Sequence, residues 1–462
     1  MIRKSVAEGR FYPDNKFELE EFFSQNIKDL DPKSEIIVSP HAGYVYSGKT
    51  AAKSFSHIEK DFETAFVIGT AHTVYAKKCC LIKDCLFRGV WGDIQTDDDI
   101  IDFLSQDKNS FEINPNAHVS EHSIEVVIPF LNHINKSFKI VPIAVNGEDR
   151  EILFNAAKKI STAMKKKKSV CVISTDLSHY PPYEIAQSVD NAFSMAYDIS
   201  ITNKDTDYFY LTKELLFKKY SRFLDTVACG FSPMVLGLNT ALNSDYNRFK
   251  IIECVNSGDV MESDNVVGYL SGIFLKDKAV EYKINLSKDE KKYLLSLAKK
   301  SIRNYICDNK MLKVEYFPYP KLNLPFAVFV TLNEKDNLRG CIGSLSPHML
   351  LGDAVIDYAV KAGFEDPRFP PLSRKELDKI NIEISILSPL KKISDISEIK
   401  ENIHGVYIKN GFRSGTYLPQ VWEHFKTKEE FLVSLFNDKS GIGYENLSDS
   451  EIYIYTVESI KE

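Results

Sequence analysis

The chain has 462 residues, 44% of them hydrophobic and 26% charged, with 58 Lys and Arg against 64 Asp and Glu. That length exceeds the roughly 250–300 residues at which one core stops growing, so two domains are expected. A formal charge of −6 gives no reason to expect a nucleic-acid groove, and no apolar run approaches the ~20 residues of a membrane-spanning helix.

The N-terminus, "MIRKSVAEGRFYPDNKFELE", lacks the apolar h-region of a secretory signal. The eight cysteines form no CxxC pair and no framework spacing, and Cys79 and Cys80 are adjacent. A reducing cytoplasm is the expected location. Short β-rich runs follow in order: "EIIVS", "AFVIGT", "FKIVPIAV", "VCVIST", "FKIIECV" and "VVGYLSGIFL". Helical patterns such as "DDDIIDFLSQ" and "REILFNAAKKISTAMKKK" separate several of them. This alternation predicts an α/β domain with a largely parallel or mixed sheet covered on both faces. The run "KKKK" at 165–168 reads as a solvated loop before the strand "SVCVIS".

Near residue 275 the texture changes. "KDKAVEYKIN" is charged and without period, so a domain boundary is expected at 276–286, between domains at 1–275 and 287–462. "LSKDEKKYLLSLAKKSIRNYI" then predicts a helix opened by a Ser287–Glu290 capping box, with Leu294, Ala298, Ile302 and Ile306 on one face. "FAVFVTL", "INIEISIL" and "EIYIYTV" alternate as half-buried antiparallel strands do, so the second domain is predicted to be α+β.

The chemistry-bearing residues gather after the first domain's strands. "EIIVSP" ends at His41, "AFVIGTA" at His72, and "VCVISTDLSHY" with Asp176 and His179. In open α/β sheets ligands bind outside the carboxyl ends of the strands. If these strands are parallel neighbours, the four side chains converge. A histidine after a strand can also be a turn imidazole bonded to a carbonyl, but three placements of one kind favour a site. Two His plus a further ligand is a common way to hold non-haem iron. Cys229 in "DTVACGFSPMVLGL" is a candidate third ligand, because it precedes a helix start where a thiol's pKa can fall. Its alternative is a buried, inert cysteine. "HVSEH" at 118–122 matches the H-x-x-E-H zinc pattern, which needs both histidines on one helix. Ser120 reads as an N-cap and Pro129 as a limit on the helix, so His118 is expected outside it. Glu121 and His122 remain candidates to line the pocket or orient a ligand histidine.

"AEGRFYP", "SPHAGYVYSG", "GTAH", "EHSIEVVIPFL", "STDLSHY" and "ACGFSP" succeed one another as in the Memo family, and the chain resembles that family over residues 1–275. The resemblance implies the fold of the class III extradiol dioxygenases, with His41 and His72 on the metal histidines, Cys229 on the metal-site cysteine, and Asp176 and His179 in the pocket. Cys229 stands where a carboxylate would complete a facial triad, which separates this chain from true ring-cleaving enzymes. "LRGCIGSL", "GFEDPRFPPL" and "YLPQVW" resemble the AMMECR family over about 285–462. Together the two resemble components B and A of the AmmeMemoRadiSam system, which implies a radical-SAM protein as a partner. Gly340 and Gly343 allow close backbone approach, and Arg339, Cys341 and Arg368 are expected to line a second-domain cleft suited to a carboxylate or phosphate. Their alternative is structural, with the arginines paired to Glu365 or Asp366.

These readings combine into a mononuclear metal-dependent redox enzyme with an accessory domain. Fe2+ is the expected metal, with Cu or Zn compatible with the same ligands. His179 is expected to shuttle protons, and Asp176 to orient it or a metal-bound water. The alternative is a non-catalytic adaptor whose vestigial pocket binds a peptide or partner protein. A small molecule or peptide is the expected substrate, and neither nucleic acid nor membrane is an expected partner.

Overall fold

A computed structural model of the chain describes residues 1–277, 281–335 and 337–462. The chain divides into two compact units, 1–202 with 216–280, and 203–215 with 281–462. The expected boundary at 276–286 includes residues 278–280, which lie outside the described residues.

The first unit is built on a nine-stranded mixed sheet. Its strands are β1 (Ile36–Ser39), β2 (Thr64–Gly69), β3 (Cys79–Leu81), β4 (Phe111–Ile113), β5 (Lys139–Ala144), β6 (Ser169–Ser174), β7 (Asp176–His179), β8 (Arg248–Asn256) and β9 (Val267–Leu275). Their order is β7-β9-β1-β6-β2-β5-β3-β4, with β8 on the other side of β9. The pairs β1–β6, β6–β2 and β2–β5 are parallel. Parallel strands carry helices on both faces, so they are apolar throughout rather than alternating. The sequences IIVS and TAFVIG are accordingly buried at every position.

Alternate residues serve the two faces. Ile37, Val67, Val170 and Val172 join a core that includes Ala51, Ala52 and Phe55 of helix α1 (Lys49–Phe55). Ile173 faces the opposite way, against Gly237 of helix α4 (Phe231–Leu242), where a Cβ would lie 2.1 Å from Ile173 Cδ1. Between them in sequence come α2 (Arg150–Met164) and α3 (Tyr183–Asn203). A separate three-stranded sheet joins Ile2–Lys4, Leu86–Gly89 and Gly92–Gln95. Lys167 and Lys168 of the basic run are engaged, with Asp97 and Asp61.

The second unit is α+β. β10 (Ala327–Glu334), β11 (Asn337–Ser344), β12 (Ile380–Leu387) and β17 (Val457–Lys461) form an antiparallel sheet in the order β11-β10-β12-β17. A second sheet has the order β13-β16-β14-β15, from β13 (Lys391–Ile393), β14 (Gly405–Asn410), β15 (Arg413–Tyr417) and β16 (Glu451–Tyr455). The helix Lys288–Asp308 opens with the Ser287–Glu290 capping box, both reciprocal bonds being present. Among the described residues, no helix is long and apolar enough to cross a membrane.

Candidate metal centre

The sheet order brings the expected residues to one place. β1, β6 and β2 are adjacent and parallel, so the loops after Ser39, Ser174 and Gly69 leave the same edge. They deliver His41, Asp176 and His72 respectively. His41 is 1% exposed and Asp176 4%. His122 comes from the loop before the helix Ile128–Ile134. Cys229 comes from the turn before α4, where Gly230 N–H donates to Thr175 Oγ1 at 3.0 Å. A Cβ at Gly230 would sit 2.5 Å from the Thr175 side chain, so glycine is what lets Cys229 lie against the end of β6.

The donors fall into two groups that share His41. His41, His72 and His122 have ligand atoms within 4.8 Å of one another, and so do His41, Asp176 and Cys229. The His72 and His122 rings stack at 4.7 Å, and His41 stands edge-on to each at 5.4 Å. Cys229 Sγ lies 3.3 Å from His41 Nε2, and Asp176 Oδ2 lies 4.0 Å from it. The set expected from sequence is thus divided: His72 lies with His122, and Cys229 with Asp176. Two residues expected only around the metal, His122 and Asp176, offer donor atoms themselves.

The hydrogen bonds fix which imidazole nitrogen is available. Ser174 Oγ donates to Ser123 O at 2.6 Å. It is therefore the acceptor for His41 Nδ1, 3.0 Å away, and His41 Nε2 keeps its lone pair. Glu121 does the same for His72. Its Oε1 lies 2.9 Å from His72 Nδ1 and accepts from Ser123 N–H at 2.8 Å, while Oε2 accepts from His72 N–H at 2.6 Å. A carboxylate behind a histidine in this way fixes its tautomer and raises its basicity as a ligand. His122 Nδ1 is 3.5 Å from the same Glu121 oxygen.

Burial and these bonds set the charge states. Burial pushes Glu121 up, but the bonds from His72 and Ser123 outweigh it and bring the carboxyl down to about 2. Burial brings His41 down to about 3, helped by neighbouring His72, and His122 down to about 4, helped by His41. Both imidazoles are neutral at physiological pH, the form that binds metals. Burial raises Asp176 against the bonds from His41 and Ala42 N–H. Cys229 differs from expectation. α4 does begin just after it, yet burial, then Asp176, push the thiol up rather than down. Desolvation exceeds the helix-terminus effect here, so ligation by Cys229 must displace a proton.

The "HVSEH" segment also folds differently from expectation. His118 lies inside a short helix, Asn116–Val119, and Ser120 follows its end instead of starting a helix. Pro129 opens the helix Ile128–Ile134 rather than ending one, since the first turn needs no proline N–H. His118 is buried with Nε2 on Cys80 O at 3.0 Å, and it belongs to neither donor group. His179 closes β7; its Nε2 is buried without a hydrogen-bond partner. Asp176 and His72 are near enough for their charges to act on it.

In the second unit, Arg339 Nε donates to Glu376 Oε1 at 2.7 Å and Nη2 to Pro370 O at 2.8 Å. Arg368 Nε and Nη2 bind the two oxygens of Asp366, at 2.9 and 2.7 Å. Asp366 Oδ2 also accepts from Cys341 N–H at 2.8 Å. Cys341 and Arg368 therefore meet on the Asp366 carboxylate, while Arg339 is held by a different acid, Glu376. A cavity of about 620 Å³ in this unit is lined by residues including Ile284, Asn402, Ile403, Pro419, Gln420 and Val457, and by none of the three.

Comparison with known proteins agrees with this organisation. The sequence model of the Memo-like protein family matches residues 3–273, and that of AMMECR1 matches residues 295–460. A MEMO1 family protein of Methanococcoides burtonii is 31% identical over 274 residues, covering 58% of this chain and 98% of that protein. One from Aquifex aeolicus is 30% identical over 282 residues, covering 59% and 99%. The crystal structure of an uncharacterised protein from Pyrococcus horikoshii is similar at 31% identity and a TM-score of 0.35, covering 38% of this chain and 93% of that one. The chain belongs to the Memo-like protein family, and it carries an AMMECR1 domain after its Memo-like domain.

Proposed function

We propose that the Memo-like domain is a mononuclear metal-dependent redox enzyme, with Fe2+ as its metal. The observation that carries this reading is the tautomer control just described. Ser174 occupies the Nδ1 of buried His41, and buried Glu121 occupies that of the exposed His72, while His41 is common to two donor groups, with His72 and His122 in one and Asp176 and Cys229 in the other. A turn imidazole has no need of a buried carboxylate behind it. The donor set of imidazoles, a carboxylate and a thiol fits iron, and also accepts copper or zinc. Bound iron would supply one-electron chemistry and polarise a coordinated substrate.

The protein's own part is to hold and protonate. His179 Nε2 is buried and unbonded, so a substrate atom beside it meets a group able to take or give a proton. Asp176 Oδ1 is bound by the His41 and Ala42 amides, so Oδ2 remains for the metal or for His179. A small molecule or peptide fits this reading as substrate. The eight cysteines, all free, support a cytoplasmic location. The pairing of the two families in one chain supports membership of an AmmeMemoRadiSam-type system with a radical-SAM partner.

The test is anaerobic loading with Fe2+ followed by redox titration under electron paramagnetic resonance. Stoichiometric iron that cycles between ferrous and ferric supports the enzyme. Substoichiometric or redox-silent iron contradicts it and favours a non-catalytic pocket that binds a peptide or partner protein.

A further inference from the structure

Asp176 and His179 are three residues apart on one strand, and regular alternation would place them on opposite faces of the sheet. They do not lie so. Asp176 is opposite Tyr269 and His179 is opposite Val267. Three steps along β7 thus match two along β9, and the extra residue is a β-bulge. Bulges of this kind re-aim side chains and leave a residue's backbone out of the ladder.

That backbone is taken up by a residue outside the sheet. Asp190, on α3, is 1% exposed. Its Oδ1 accepts from Ser178 N–H at 3.1 Å and its Oδ2 from Ser178 Oγ at 3.0 Å. Gly268 on β9 makes room, since a Cβ there would lie 1.9 Å from Asp190 Oδ2. Burial pushes the Asp190 carboxyl up to about 7 in spite of both bonds. An apolar residue would fill this core position at lower cost, so the carboxylate's contribution lies in what it bonds.

We propose that Asp190 is a positioning residue of the metal centre: by capturing the Ser178 amide and hydroxyl it holds the β7 bulge, and the bulge keeps Asp176 and His179 on the face that looks onto His41. The bulge stands on geometry alone, while its consequence for metal rests on the function proposed above.

Asp190→Ala and Asp190→Asn, in the full chain, test this with Co2+ alone as the probe. In Asp190→Ala, hydrogen exchange at the Ser178 amide should accelerate while α3 amides stay protected, Co2+ should bind about 10–100-fold more weakly, and its absorption spectrum should change. Asn can accept from the amide and donate to the hydroxyl, so Asp190→Asn should restore both affinity and spectrum. Parental Co2+ affinity in Asp190→Ala overturns the proposal, as does an Asn variant no better than the Ala one. Should the parent itself fail to bind Co2+, the metal reading falls. Asp190 is then judged on the crystal structure of Asp190→Ala, where an unchanged Asp176–Tyr269 and His179–Val267 register overturns it and a shifted register upholds it.

Discussion

Asp190→Asn should make the Memo-like domain more stable at neutral pH and nearly unchanged in acid. In the folded chain the carboxyl is raised from 3.8 to about 7 by burial. Between those values the folded state holds a proton that the unfolded state has lost, so stability falls as pH rises from about 4 to about 7 and is level above. A displacement of about three units at 1.36 kcal/mol each gives about 4 kcal/mol lost across that window. Asparagine carries no proton to lose, so the variant-minus-parent difference should grow by about that amount from pH 4 to pH 8. Taking the difference cancels the other groups that titrate in the window, His41 and His122 among them. Two domains make global unfolding a poor two-state measure, so the reading should come from hydrogen exchange of the β6 core amides, Val170 to Ile173. A difference that does not change with pH would refute a buried carboxyl whose ionisation desolvation opposes.

Glu121→Gln removes the charge behind His72 and should weaken metal binding by about 10–100-fold; unchanged affinity in competition with a chelator would show that His72 needs no such partner. Arg3 and Glu125 form an ion pair 1% and 0% exposed, and Glu125 also binds the Val6 and Ala7 amides. Arg3→Met leaves that carboxylate without its cation, so hydrogen exchange of the β6 core amides should show a loss of about 3–5 kcal/mol, and a loss below about 1 kcal/mol would refute a buried charge left uncompensated. The metal-free Cys229 thiol is held above its ordinary range, whereas Cys307 is exposed. At pH 8, iodoacetamide should label Cys307 well before Cys229, as mass spectrometry of the digest would show; the reverse order would mean that Cys229 is a thiolate without metal.

The parallel strands were legible because burial on both faces leaves an unbroken apolar run, and the Ser287–Glu290 cap because its bonds are local. The strand order was not written in any one run. It made neighbours of β1, β6 and β2, and with that the convergence of His41, Asp176 and His72 became a fact of geometry. His122 and Asp176 as donors depend on angstrom-scale placement that spacing does not carry. Ser174 looked like one more residue of an apolar strand, yet it sets the His41 tautomer. "EIYIYTV" reads as one strand but contributes to two sheets, as Glu451–Tyr455 and Val457–Lys461, because Thr456 pairs with Ser388 between them. The sheet of Ile2–Lys4, Leu86–Gly89 and Gly92–Gln95 was invisible, its strands being three or four residues long and partly polar. Asp190 gave no signal at all, since a lone acid in a helix announces nothing until the bulge opposite it is seen.

The proposed metal centre depends on His41, the residue common to both donor groups. Anaerobic Fe2+ binding by the parent and by His41→Ala, followed by elemental analysis, tests it most directly. About one iron per parent chain is expected, and its loss in the variant, because both donor groups lose their common member. Equal iron in the two proteins, with the variant folded, would contradict it.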